Sequence, residues 1–379
     1  MNQATFVPEK FDSYFGPDPY FDPKKVKCGP EQVQNIQRVI WPLIASYRKV
    51  LVAQKAMTTY TTVGMFAVGD ADLRHFGAGH VLYTDKPGKG KSLLAGVPAV
   101  VLGGSASRFQ GTPDNLPSDY LGNRIIDIDE TGRRFFRLVK GPAFADIQLL
   151  DEINRNSPRT MSAFLEAIGE GNITIFNEEH KVNPFVIFTM NPIETEGVYP
   201  ILEALLDRIM FKITGNWFVA KEFAEIDDRA SSFDVLAGTL KQVCGMATVM
   251  EIREFFHKNI YVDIDLKEKR MGHFAEVSND PHKFGCLKKF SGKFGSPVVL
   301  GGLSGRGFRH WVGASKTIAA FRYREYVTPE DAQKTILPVL RHRLFFAPGA
   351  VKFLTEEFRF RDSDETIDAV IREMIREAW

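Results

Sequence analysis

Apolar positions recur along the chain in two rhythms, and the change between them divides it. From Glu31, the residues Val33, Ile36, Val39, Ile40, Leu43 and Ile44 fall at helical spacing, predicting a helix that Pro42 kinks or divides. Further on come short, mostly apolar runs of strand length: HVLYT (80–84), ADIQLLDE (145–152), FVIFTMN (185–191) and IMFKI (209–213). Such runs suit strands covered on both faces. Between two of them a helix is predicted to start at Ser157-Pro158, with Met161, Phe164, Leu165 and Ile168 on one side. The stretch NITIFNEEHKV reads as a hairpin, Ile173 and Ile175 alternating before a polar turn. Strands alternating with helices predict an α/β fold, an αβα sandwich around a parallel sheet.

After Trp217 the rhythm becomes helical. Thr328-Pro329-Glu330-Asp331 is a helix start, with a capping threonine, proline in the first turn and acids near the positive helix end. Ile367, Val370, Ile371, Met374 and Ile375 make a compact amphipathic helix near the C-terminus. A smaller all-α unit, a lid, is therefore expected beside the sheet. Residues 1–30 carry five prolines among six aromatics, which excludes a helix or central strand and predicts an extended arm. Residues 48–75 have no readable rhythm.

Composition changes this picture little. The 379 residues suit two domains with extensions, and 44% hydrophobic and 25% charged residues are ordinary globular values. A formal net charge of +1 provides no whole-protein field for nucleic acid or an anionic membrane. Three widely spaced cysteines and eight histidines with no metal-binding spacing argue against a disulfide framework or zinc site. No apolar run reaches the roughly 18 residues of a membrane span, so a cytoplasmic protein without one is expected.

Candidate chemistry begins at YTDKPGKGKS, Tyr83 to Ser92. Its end fits the phosphate-loop pattern G-x-x-x-x-G-K-[ST], but Asp85 stands where the first glycine belongs. In such a loop backbone N–H groups wrap phosphates at a helix N-terminus. Asp85, Lys86, Pro87, Gly88, Lys89, Gly90, Lys91, Ser92 and Leu93 would then cradle a nucleotide. Lys91 would reach the β- and γ-phosphates and Ser92 would ligate Mg²⁺. The alternative is a solvated lysine-glycine turn. Asp151 and Glu152 follow an apolar strand, at the end where open α/β sheets bind ligands. Asp151 would hold Mg²⁺ through water and Glu152 would polarise the attacking water; the alternative is a capped strand end. Asn191 closes the next strand, either as a turn residue or to orient that water. Arg208 lies just before the last strand, either on a surface helix or as a finger reaching a neighbour's phosphate.

The ordered set DKPGKGKS, FQGTPDNLPSDYLG, RLVKGPAFADIQLLDEINRNSPRTMSAFLEAIGEGNITI, FVIFTMNPIETEGVYPILEALLDRIMFKI, GGLSGR and YVTPEDAQKTILPVLRHRL resembles the MoxR-type AAA+ ATPases. The resemblance is densest from about Gln110 to Ile213 and resumes from Gly302 to about Leu344. It implies a P-loop NTPase core at 31–217, a helical lid at 218–345 and a C-terminal amphipathic helix at 346–379, following the arm. It further implies ATP and Mg²⁺ as ligands, with Asn191 as first sensor, Arg208 as finger and Arg306 as lid sensor arginine. Residues 113–137 would be an insert in the second helix and 172–183 a hairpin facing a ring pore. The implied activity is ATP hydrolysis in a ring, usually hexameric, that remodels or matures a client protein. Cofactor or metal insertion with a von Willebrand factor A-domain partner would be one form of it. Gly305 replaces the proline that family members carry before the lid arginine. Two other functions compete: a binding-only, nucleotide-gated scaffold in which Asp85 has disabled turnover, and a nucleic-acid motor. The acids Glu178 and Glu179 in the hairpin disfavour the motor.

Overall fold

In the computed structural model, which describes residues 29–52, 54–71, 76–84, 90–191, 197–215, 219–230, 233–280 and 282–379, the chain enters through two helical pieces. These are α1 (Pro30–Asn35) and α2 (Trp41–Val50), joined by a π-helical turn at Ile36–Ile40. The division expected at Pro42 is thus present as a wider turn just ahead of it, where a proline lacks the N–H that an ordinary turn needs. The expected N-terminal arm, 1–30, lies outside the described residues except at Gly29 and Pro30, where Pro30 opens α1 instead of extending the arm. The unreadable stretch 48–75 holds α3 (Lys55–Phe66) and part of an antiparallel hairpin, β1 (Val68–Ala71) with β2 (Phe76–Ala78). Helix α3 hid because it buries threonines. Thr58, Thr61 and Thr62 donate to the carbonyls of Gln54, Met57 and Thr58, at 3.1, 2.6 and 2.8 Å. That back-bonding lets hydroxyls occupy a dry helix.

The apolar runs then become β3 (His80–Thr84), β7 (Ile147–Asp151), β10 (Phe185–Met190) and β11 (Ile209–Thr214). With β4 (Ala106–Gln110) they form one parallel sheet in the order β11-β3-β10-β7-β4. Strand β4 escaped the sequence reading because it is an edge strand, with Phe109 alone fully covered. Helix α4 (Lys91–Val101) follows β3, α5 (Pro117–Leu121) and α6 (Pro158–Gly169) flank β7, and α7 (Glu203–Arg208) leads into β11. The cap expected at Ser157 is made, its hydroxyl accepting Thr160 N–H at 3.3 Å.

Period-two alternation sorts the strands' side chains into two cores. Val81, Tyr83, Leu149, Phe185, Ile187 and Phe211 face α2, α3, α4 and the C-terminal helices. Leu82, Leu150, Val186, Phe188 and Ile209 face α5, α6 and α7. The result is the expected three-layer sandwich, and all five strands point their C-terminal ends the same way.

Two hairpins project from it: β5 (Gly122–Ile128) with β6 (Arg134–Lys140), and β8 (Asn172–Ile175) with β9 (Glu178–Lys181). They touch, since Arg124 pairs with Glu178 and lies over the ring of Phe176. Beyond β11 come α8 (Ala220–Ala230), α9 (Phe233–Gly238), α10 (Met246–Asn259), a π-helical turn at Leu266–Gly272, α11 (His273–Ser278) and α12 (Gly285–Phe294). A short strand β12 (Val299–Gly301) precedes α13 (Gly305–Phe321) and α14 (Pro329–Leu340). Thr328 and Asp331 close the expected capping box of α14. Strand β13 (Phe345–Phe346) pairs with β12. The last segment, expected as one amphipathic helix, carries two: α15 (Ala350–Phe358) and α16 (Ser363–Ala378), separated by a left-handed Arg359.

Candidate active site

Helix α4 begins where the phosphate-loop motif ends. Gly90 caps it in a left-handed conformation, φ 76°, and a Cβ there would stand 2.5 Å from Leu51 Cδ2. Lys91 is the first helical residue and the exposed Ser92 the second, and the first turn carries no acid. Tyr47 pins the turn, its hydroxyl donating to Leu94 O at 2.8 Å. The helix start therefore brings a lysine and a hydroxyl together at a helix N-terminus, the chemistry that suits a polyphosphate. Asp85, Lys86, Pro87, Gly88 and Lys89 lie outside the described residues.

Two strands away, Asp151 and Glu152 end β7 as expected. The adjoining residues organise them. Thr189, fully buried in β10, donates its hydroxyl to Asp151 Oδ1 at 2.5 Å and accepts Glu152 N–H at 3.0 Å. One hydroxyl thereby fixes both acids. Glu152 itself is left-handed, φ 52°, an uncommon conformation for a side-chain-bearing residue. Gly111 makes room for that bend, since a Cβ on it would lie 2.1 Å from Glu152 O.

The carboxylates are held from the other side by β4. Arg108 donates to Asp151 Oδ2 at 2.7 Å and to Gln110 Oε1 at 2.9 Å. Gln110 donates in turn to Glu152 Oε2 at 2.9 Å, and Arg155 pairs with the same oxygen at 3.0 Å. Residues from three strand ends thus form a continuous polar chain across the sheet's C-terminal edge. Hard oxygen donors of this kind, one carboxylate with a nearby hydroxyl, fit a divalent cation that also takes phosphate oxygens. Asn191 lies one residue beyond β10, two after Thr189.

Arg306 lies elsewhere, on Asp207, while Arg208 turns toward Gly169. Arg306, in the first turn of α13, pairs with Asp207 Oδ2 at 2.9 Å, and the capping Ser304 donates to Oδ1 at 2.6 Å. Arg208 closes α7, donating to Ala204 O at 3.0 Å and packing on Gly169. Among the described residues it makes no ion pair with Asp151 or Glu152 of its own chain. Arg343 completes the joint, donating to Asp207 O at 3.0 Å, Ile209 O at 2.6 Å and His310 Nδ1 at 2.8 Å. Burial, and then the Arg343 guanidinium, hold His310 and the neighbouring His342 well below the usual imidazole range.

Sequence reasoning missed Arg108, Gln110, Arg155, Thr189 and Asp207. Two left a trace: Thr189 is the one hydroxyl in FVIFTM, and Asp207 the one acid in the otherwise apolar ALLD. Arg108 and Gln110 act through contacts 43 and 42 positions away, which no local pattern records, whereas Arg155 pairs with Glu152 only three positions before it.

Residues 80–211 match the model of the ATPase family associated with various cellular activities (AAA), and residues 296–362 match the AAA lid domain. The chain is 32% identical to the chaperone MoxR1 of Mycobacterium tuberculosis, over 84% of this chain and 78% of that one. It is 32% identical to the uncharacterized protein YeaC of Bacillus subtilis, over 72% and 79%. A crystal structure of a Cytophaga hutchinsonii protein assigned as an ATPase superposes with a TM-score of 0.73 at 27% identity, covering 90% of this chain and 96% of that one. A parallel five-stranded sheet ending in paired acids, a helix-start lysine and an attached helical lid thus come together with these likenesses: the chain belongs to the MoxR-type AAA+ ATPases.

Proposed function

We propose that the protein hydrolyses Mg²⁺-ATP at this edge of the sheet and uses the cycle to remodel or mature a client protein. The observation that carries the reading is the fixed pair Asp151–Glu152, joined by Thr189 at the sheet edge where β3, the strand before α4, also ends. Lys91 and the N–H groups of α4 would bind the phosphates; Ser92 and Asp151 would hold Mg²⁺, which supplies charge neutralisation on the phosphate oxygens. Glu152 would take the proton of an attacking water, and Asn191 would orient that water. Gln110 and Arg155 meanwhile hold Glu152 in one position.

Among the described residues Arg208 makes no ion pair with Asp151 or Glu152, and its place just before β11 supports a role toward a neighbouring subunit in a ring, a hexamer by family likeness. The likeness to a protein named a chaperone supports a client-directed role; a cytoplasmic location and a von Willebrand factor A-domain partner are proposed from the family resemblance alone. A nucleic-acid partner is disfavoured: the β8–β9 hairpin presents Phe176 beside Glu178 and Glu179. Among the described residues no helix is long and apolar enough to cross a membrane.

Steady-state phosphate release with Mg²⁺-ATP tests the reading. Release should be lost in Glu152→Gln with ATP still bound, and both should be lost in Lys91→Ala. ATP binding without release in the unaltered chain would leave the binding-only scaffold as the function.

A further inference from the structure

A second concavity lies away from the motif residues, between α10, the π-turn at Leu266–Gly272, α13 and the β1 edge. Its volume is about 630 Å³, within the range of small-molecule sites. Val68, Ile260, Val262, Phe308 and Val312 give it apolar walls. Around them stand His257, Lys258, Lys267, Arg309 and Lys316, and among the described lining residues there is no aspartate or glutamate.

Gathering these cations costs the fold free energy. Burial and then the charge of Lys267 push the Lys316 ammonium down. Burial, then Lys316 and Lys258, push His257 down. Lys316 is nonetheless fixed, its Nζ donating to His257 O at 2.6 Å. Lys258 pairs with Glu254 at 2.5 Å outside the lining, while Lys267 makes no ion pair among the described residues. Cations that repel one another over an apolar floor focus a positive potential into the cleft. Most of this lining, at 68–69 and 257–267, lies outside the two matched family segments, 80–211 and 296–362.

We propose that this cavity binds a small organic anion bearing two or more negative charges on an aromatic or aliphatic body. The apolar walls take the body, and Lys267, Arg309 and Lys316 take the charges. The site stands one helical turn along α13 from Arg306, so its occupant touches the same helix that reaches Asp207.

Calorimetric titration of the full chain with naphthalene-1,5-disulfonate and with phenyl phosphate, beside inorganic sulfate, tests it. At least one aromatic anion should bind saturably at one site per chain. Binding should weaken at least tenfold in Lys267→Ala/Arg309→Ala and in the cavity-filling Val312→Trp, both with an unchanged far-ultraviolet spectrum. It should persist in Lys91→Ala, which separates this site from the nucleotide loop. Absence of binding by both aromatic anions, or binding lost in Lys91→Ala but kept in the cavity variants, would overturn the proposal. Sulfate binding as tightly as the aromatic anions would refute the role of the apolar walls.

Discussion

Thr189 offers the sharpest perturbation, because one hydroxyl serves both acids of the site. Valine has nearly the same shape, so Thr189→Val leaves no cavity and removes two hydrogen bonds. The Glu152 N–H then lies unpaired beside a fully buried position. An unsatisfied buried donor costs about 1–3 kcal/mol. For a chain of this size that is a fall in melting temperature of roughly 1–4 °C. Glu152 also loses a support of its left-handed conformation, and a displacement of its carboxylate by about 1 Å lowers turnover about 10²-fold. Thr189→Ser keeps the hydroxyl and sacrifices a methyl, at about 1 kcal/mol. Thermal melts and phosphate release on both variants decide the matter. Turnover should survive in the serine variant and collapse in the valine variant. Equal turnover in the two, at any stability, would refute the bridging role.

Other residues give shorter tests. On the phosphate-loop assignment Asp85→Gly would take a negative charge out of the loop, so ATP should bind more tightly by roughly fivefold, about 1 kcal/mol, as a fluorescent-nucleotide titration would read; weaker binding would contradict that assignment. His310 and His342 have folded pKa values well below the ordinary 6.5, so the unfolded chain takes up their protons first as pH falls. Their contribution is present above that value and lost below it, up to about 1.4 kcal/mol per pH unit for each histidine. Denaturant titrations from neutral to mildly acid pH should show the loss, and His310→Gln should reduce its slope.

The sheet was legible because its strands are buried on both faces: HVLYT and IMFKI have no polar face that could have suggested a surface helix. Strand β4 was not, since an edge strand reading ASRFQ looks like a loop until β7 is beside it. Helix α3 was obscured by threonines whose hydroxyls find carbonyls one turn back, a local compensation invisible to hydropathy. The candidate site divides in the same way. Lys91, Asp151 and Glu152 announced themselves because a phosphate loop and a strand-end acid pair are contiguous in sequence. Gln110 meets Glu152, and Arg306 meets Asp207, only after the chain has folded across 42 and 99 positions.

Completion of the ATPase site by a neighbouring subunit can be read by mixing two variants, Glu152→Gln and Arg208→Ala. Each should release almost no phosphate alone. After co-assembly, sites combining the intact Glu152 of one subunit with the intact Arg208 of the next should restore about a quarter of the unmixed wild-type rate, as random mixing in a closed ring requires. A mixture as inactive as its components would contradict the account, and so would an Arg208→Ala chain that hydrolyses ATP normally by itself.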